Sequence, residues 1–136
     1  MYTIEPKERH AKAFGSNLRI SSKSAVKICS VIRGKKLSIA KRLLEDLSSG
    51  KRNLDGKYYT KTVSEILRIL KSCEKNAEFK NMEKGKIFVH ASAHHGTIFR
   101  RRRRKSGFGS RMKSTNLEVM LIERGKSTGT KGVVGK

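Results

Sequence analysis

Residues 87–93 (IFVHASA) and 117–122 (LEVMLI) are the two strand-like segments that decide the fold of this chain. Alternating side chains and a high content of β-branched and aliphatic residues are typical of strands. The roughly 23 residues between them show no helical periodicity, and long unstructured connections are usually functional or disordered. We therefore predict an extended hairpin, with arms at about 87–99 and 112–123, that projects on the order of 40 Å at about 3.3 Å per residue.

Three amphipathic helices are predicted before these strands, because apolar residues recur there three and four positions apart. The three apolar faces consist of Ala25, Ile28, Cys29 and Ile32, then Ala40, Leu43, Leu44 and Leu47, then Val63, Ile66, Leu67, Leu70, Cys73 and Ala77. Gly34 and Gly50 are expected to end the first two helices, and the third is expected to end near Asn81. Three apolar faces need a common partner, which the strands provide.

Short polar residues predict where these elements begin and turn. Ser38 is the expected cap of the second helix. Thr62 and Glu65 have the spacing of a capping box, which would begin the third helix. In the polar loop 51–60, the Asp55-Gly56 pair predicts a tight turn.

A further short strand is expected at residues 17–21 (NLRIS), preceded by a flexible segment at 11–16 (AKAFGS). The predicted fold class is therefore α+β, a small antiparallel three-stranded sheet packed on three helices, with a long protruding β-hairpin. We expect residues 1–125 to form a single domain that includes the hairpin, and residues 126–136 to form a basic, flexible tail.

The charge of the chain points to a polyanionic partner. Lys and Arg number 33 against 11 Asp and Glu, which gives a formal net charge of +22 and a pI near 10.6. Residues 84–117 contain ten Lys or Arg and no acidic residue. Nucleic acid is the usual partner of such a chain, and an acidic membrane surface or acidic protein is a weaker candidate. Arg can hold a phosphate bidentately and stack on a base, which suits folded RNA.

Several other classes of protein find little support. The two cysteines, Cys29 and Cys73, fall on apolar helix faces and are expected to be buried thiols of a reducing compartment. No apolar run approaches the roughly 20 residues of a membrane span, and residues 1–10 lack a signal peptide's apolar block, so a soluble intracellular protein is expected. Adjacent His94 and His95 would point to opposite faces of a strand, so no metal is expected. No cofactor or small-molecule substrate is expected either.

Catalytic motifs are incomplete. Gly125-Lys126-Ser127 resembles the end of a phosphate-binding loop, but Met120 stands where its first glycine is needed. We therefore expect no enzymatic activity. Two other interpretations of the basic run stay open, namely a nuclear localisation signal or solvated loop, and an architectural DNA-binding protein with a basic β-ribbon.

Three motifs together resemble a known family, the large-subunit ribosomal proteins numbered twenty-two universally and seventeen in eukaryotes. Residues 16–20 (SNLRI) are similar to the first strand of the eukaryotic members, and residues 70–78 (LKSCEKNAE) to the helix signature of the family. Phe99 and the arginines after it resemble the hairpin-tip motif of one apolar and three basic residues. The likeness covers about residues 11–125, but the 51–60 loop is shorter than in eukaryotic relatives and the tip after Lys105 is trimmed.

The resemblance implies a structural protein of the large ribosomal subunit that binds ribosomal RNA and contributes its hairpin tip to the wall of the polypeptide exit tunnel. The tip motif corresponds to Arg100, Arg101 and Arg102. The expected RNA-binding residues are Lys12, Asn17, Arg19, Asn76, Arg100, Arg101, Arg102, Arg103, Arg104, Lys105, Arg111 and Lys113. The expected tunnel-facing residues are Ser106, Gly107, Phe108 and Gly109.

The implied partners are large-subunit ribosomal RNA, neighbouring large-subunit proteins and the nascent polypeptide that passes the tip, with no membrane partner. Phe108 could stack on a base or only anchor the turn between its two glycines. The implied location is the cytoplasmic ribosome, and in a eukaryote also the nucleolus during assembly.

Overall fold

A computed structural model describes residues 2–104 and 106–125 and has an α+β fold, so the predicted class is confirmed. Three helices and three strands form the described structure, together with one 3-10 turn at Lys84–Lys86. In chain order they are β1 (His10–Leu18), α1 (Ser22–Ile32), α2 (Leu37–Ser48), α3 (Thr60–Phe79), β2 (Ile87–His95) and β3 (Thr115–Glu123). None of the helices in these ranges is both long and apolar enough to cross a membrane.

The sheet has the order β1-β3-β2 with antiparallel neighbours, so β3 lies in the middle. Val119 of β3 stands opposite Ala13 of β1 and Ala91 of β2, and all three are buried. Alternation of side chains places these residues on the face that packs on the helices. The predicted helix faces point into the same core, except that Leu43 and Leu67 are only partly buried at its margin.

The first strand was predicted at the wrong residues. β1 spans His10–Leu18, so the segment AKAFGS, expected to be flexible, is itself the strand. Its inward positions hold the small residues Ala11, Ala13 and Gly15, which give little hydrophobic signal. Close packing explains their size, because a Cβ on Gly15 would lie 3.0 Å from Cδ1 of Ile69 in α3.

Helix beginnings also differ from the predicted caps. α2 begins one residue before Ser38, after Lys36, and α3 begins at Thr60 after Tyr59, whose φ is +51°. Thr62 is therefore buried within the first turn of α3, and the predicted capping box with Glu65 does not form. The expected turn at Asp55-Gly56 is present, with positive φ at both residues.

The connection between β2 and β3 is less regular than predicted. Continuous pairing ends where His95 faces Thr115, short of the expected arms at 87–99 and 112–123. Beyond that point single backbone hydrogen bonds join the two arms, from N–H of Gly96 to O of Ser114 (3.1 Å) and from N–H of Met112 to O of Phe99 (2.8 Å). The projection of the hairpin stays a prediction. Lys105 and the expected tail 126–136 lie outside the described residues.

Candidate nucleic-acid interface

The hairpin tip is a turn built on two glycines. Gly107 and Gly109 have φ angles of +73° and +75°, a region in which a side chain is disfavoured. The N–H of Ser110 donates to the carbonyl of Gly107 (3.0 Å), and the N–H of Gly109 donates to that of Arg101 (3.3 Å). The glycines therefore give the tip a defined backbone path, on which Phe108 is carried outward with 66% of its surface exposed.

Two arginines of the basic run hydrogen-bond to this turn. Nη1 of Arg100 donates to the carbonyl oxygen of Gly109 (2.8 Å), and Nη1 of Arg101 donates to that of Ser106 (3.1 Å). A guanidinium has five N–H donors, so each keeps most of its capacity for another acceptor. Arg100 and Arg101 can thus shape the turn and still meet an anion.

The other cations of the hairpin have no such partners. Arg102, Arg103, Arg104, Arg111 and Lys113 are exposed. Within the described ranges, none of them makes an ion pair or donates a side-chain hydrogen bond, and no acid that forms an ion pair there lies between residues 96 and 114. Like charges this close repel one another, so an external anion would stabilise the arrangement.

Asn17, predicted to contact RNA, joins β1 to the base of the hairpin. Its Oδ1 accepts from the N–H of Thr97 (2.9 Å) and from Oγ of Ser114 (3.1 Å). Its own N–H donates to Oδ1 of Asn116 (2.9 Å). These contacts join residues that are distant along the chain and use the side-chain oxygen internally, which leaves the amide nitrogen as its free donor.

The other predicted contacts of the globular part also have internal partners. Asn76 donates from Nδ2 to the carbonyl of Lys12 (2.9 Å), which fastens α3 to β1. Nζ of Lys12 lies 4.9 Å from the ring centre of Tyr2, and Nη2 of Arg19 lies 3.6 Å from Sδ of Met112. The sequence pointed to these residues but did not reveal their internal contacts, which depend on how β1, α3 and the hairpin pack together.

Two exposed apolar residues beside the arginines were not among the predicted RNA-binding residues, although Phe99 was noted as the apolar member of the tip motif. Ile98 is 61% exposed and Phe99 is 47% exposed, and both precede the arginine run. With Phe108 they place apolar surface next to unpaired cations, a combination that suits nucleobases with their phosphates. The sequence feature that could have identified them is the occurrence of two large apolar residues directly before five arginines.

The described residues assemble neither a metal cluster nor a reactive thiol. No group of three His, Cys, Asp or Glu within them is arranged to hold a metal ion. Burial raises the pKa of the Cys29 thiol to about 12, and burial raises the pKa of Cys73 to about 12 as well. Both cysteines are buried free thiols, as predicted, and are poor nucleophiles at neutral pH.

Comparison with known proteins identifies the family. A family model described as "Ribosomal protein L22p/L17e" matches residues 13–122. "Large ribosomal subunit protein uL22" of Archaeoglobus fulgidus is 34% identical over 120 residues, covering 74% of this chain and 77% of that protein. The proteins of the same name from Methanococcoides burtonii and Methanopyrus kandleri are each 32% identical and cover 90% of this chain and 95% of their own lengths. These relatives are archaeal, so they lend no support to the nucleolar expectation. The chain belongs to the ribosomal protein L22p/L17e family.

Proposed function

We propose that this chain is a structural component of the large ribosomal subunit and binds ribosomal RNA through its globular part and its basic hairpin. The relatives bear the name of a large-subunit protein, which supports the subunit. The single observation that carries RNA binding is the exposed run of Arg102, Arg103 and Arg104, which has no anionic partner among the described residues. Since the family is one of ribosomal proteins, the expectation of no enzymatic activity is confirmed.

The distribution of charge supports a division of labour between the two parts. Most of the acids on the helices and near residues 83 and 123 are paired with cations, as Glu74 is with Lys41 (2.8 Å). The part of the hairpin beyond the paired strands, residues 96–114, contains cations and no acidic residue. RNA phosphates near it would release counterions as the arginines neutralise them, so affinity would fall steeply with salt.

The finer part of the proposal concerns the tip. Phe108 and its flanking glycines form the end of the hairpin, and a small exposed turn of this kind could line a narrow passage between RNA segments. We assign the tip residues Ser106, Gly107, Phe108 and Gly109 to the wall of the polypeptide exit tunnel, where the nascent chain would pass. Neighbouring large-subunit proteins complete the set of proposed partners. The tunnel assignment rests on the family resemblance, and the turn geometry is compatible with it.

Sedimentation of a cell extract through a density gradient tests the subunit assignment. The tagged chain should appear with large subunits in a stoichiometric amount and should stay with them after a moderate salt wash. Recovery with chromatin, or in the soluble fraction alone, would contradict the assignment. Binding of the purified chain to a large-subunit RNA transcript, with duplex DNA as competitor, then tests RNA preference, and equal competition by DNA would favour the architectural DNA-binding alternative.

A further inference from the structure

An open groove with a volume of about 570 Å³ lies between α1 and the His95 end of β2, and none of its lining residues is among the predicted RNA contacts. It is lined by Ser22, Lys23, Val26, Lys27, Ala93, His94 and His95. Val26 is 49% exposed although it is aliphatic and lies in the middle of a helix. The groove thus joins an apolar wall to two lysines and has no acidic residue in its lining.

One wall of the groove is an unpaired strand edge. β2 is an outer strand of the sheet. Nearer its start, its outer edge is paired with the segment after α1, because Val89 accepts a backbone hydrogen bond from Gly34 (2.8 Å) and donates one to Lys35 (2.9 Å). The carbonyl of Ala91 accepts from Nε and Nη2 of Arg33 (3.1 and 3.0 Å). Because the outward direction recurs every second residue, the N–H and C=O of Ala93 face outward too. No partner for them occurs outside the sheet among the described residues.

We propose that this groove receives one unstacked base of the bound RNA. The apolar wall at Val26 and Ala93 would cover a face of the base, while the outward N–H and C=O of Ala93 offer a donor and an acceptor to its edge. Unstacked bases are the usual target of specific RNA recognition, in which side chains cover the face of the base and polar groups bond its edge. The inference deepens the proposed function and depends on it.

Charge favours a nucleotide over a segment of protein in the groove. Lys23 is exposed and has no ion-pair partner within the described residues, so its ammonium is free to meet a phosphate. Lys27 bonds Asp55 at 3.0 Å, but both side chains are more than half exposed, and an exposed pair of this kind exchanges readily for another anion. Both lysines line the groove together with Val26 and Ala93, so a phosphate attached to a base in the groove would meet a cation.

The test compares Val26→Asp with Ile39→Asp. Ile39 is a matched control because it is an aliphatic helix residue, 53% exposed, and lies outside the groove on α2. The full chain is titrated with a large-subunit ribosomal RNA transcript carrying 4-thiouridine, then irradiated, digested and analysed by mass spectrometry. Val26→Asp should weaken binding about tenfold more than Ile39→Asp, the effect of losing one docked base. In Val26→Asp, the cross-linked peptide that contains residue 26 or 93 should also disappear.

Two controls keep the outcomes distinct. Circular dichroism should give the same helix content for both variants, and Lys23→Gln, which leaves the apolar wall intact, should also weaken binding and lower its salt dependence. Equal binding by Val26→Asp and Ile39→Asp, while a variant with alanine at 102, 103 and 104 binds poorly, would overturn the groove and leave the proposed function standing. Absence of RNA binding by the unaltered chain would overturn both. Cross-linking of the groove to a neighbouring protein in assembled subunits, with none to RNA, would also overturn the groove proposal.

Discussion

The carboxylate of Glu118, in the middle strand of the sheet, accepts a hydrogen bond from the backbone N–H of Thr3 at 2.9 Å. The hydroxyl of Thr3 also donates to it. Glu118 is fully buried on the face of the sheet opposite the helices, between Phe14 of β1 and Ser92 of β2. Since burial of a charge is costly unless the charge is hydrogen-bonded, this contact explains how the central strand tolerates a carboxylate there.

Glu118→Gln should therefore lower the free energy of unfolding by about 1–3 kcal/mol, because the amide loses the charge and presents donors where Thr3 also donates. Glu45→Gln is the control, since Glu45 is exposed on α2 and makes no ion pair within the described residues. Urea denaturation followed by circular dichroism measures both. A similar decrease in the two variants would show that the contact with Thr3 contributes little.

Much of the fold could be predicted because local periodicity determines it. The buried faces of α1, α2 and α3 follow the 3.6-residue repeat, and β2 and β3 have the aliphatic content of core strands. β1 could not be located correctly, because its inward residues Ala11, Ala13 and Gly15 are suited to close approach to α3 and are weakly hydrophobic. The predicted capping box of α3 was wrong for a related reason. Thr62 is buried within the first turn of the helix, so its packing overrides the local capping preference.

The candidate interface was predictable in composition but not in its contacts. The arginine run is evident in the sequence, and so are the glycines that turn the tip. The hydrogen bonds from Arg100 and Arg101 to the turn were not predictable, because they depend on the exact residues at which the chain reverses. The contacts of Asn17 with residues 97 and 114 depend on the register of the hairpin, which one sequence does not specify at long range.

Gly96 lies at the crowded base of the hairpin and should not tolerate a side chain. A Cβ there would lie 2.4 Å from Oγ of Ser114 and 2.6 Å from Oδ1 of Asn17. Gly96→Ala should cost about 1–3 kcal/mol of stability, as overpacking does. It should also accelerate exchange of the Thr97 amide hydrogen, whose acceptor is Asn17. Gly85→Ala is the control, because a Cβ there has no atom within 4 Å.

Stability should fall in mild acid through His90. Burial lowers the pKa of His90 below its ordinary value of 6.5, with Arg33 adding to the effect and Glu118 opposing it. The folded state therefore binds fewer protons than the unfolded state. The stability that the neutral form of His90 contributes is present above the unfolded pKa and is lost as the pH falls through the folded pKa. Urea midpoints between about pH 7.5 and about pH 5 should depend less on pH in His90→Gln. His95→Gln, at an exposed histidine, is the control, and equal slopes would contradict the prediction.

The two thiols should be inert in the folded protein. Sγ of Cys73 donates to the carbonyl of Ala11 (3.4 Å), and both Cys29 and Cys73 are fully buried. Ellman's reagent should detect neither thiol under native conditions and both in denaturant, because only the exposed thiolate reacts. Rapid labelling of either cysteine in the native chain would show that the core opens locally.

The arginine run should separate into two functional pairs. Arg100→Ala with Arg101→Ala removes the hydrogen bonds to Gly109 and Ser106, so it should loosen the turn as well as weaken RNA binding. Arg102→Ala with Arg103→Ala removes cations that have no partner among the described residues, so it should weaken RNA binding alone. For each phosphate that is no longer neutralised, the slope of log affinity against log salt should become shallower by about 0.7–0.9.

Hydrogen exchange at the amides of Gly109 and Ser110, which close the turn, separates the two effects. Exchange should accelerate only in the first pair, while the salt slope of binding to the RNA transcript should become shallower in both. Unchanged exchange in the first pair would mean that the backbone and glycines hold the turn without the guanidinium contacts. An unchanged salt slope in the second pair would remove these arginines from the RNA interface and leave the tip to act through Phe108 and the first two arginines.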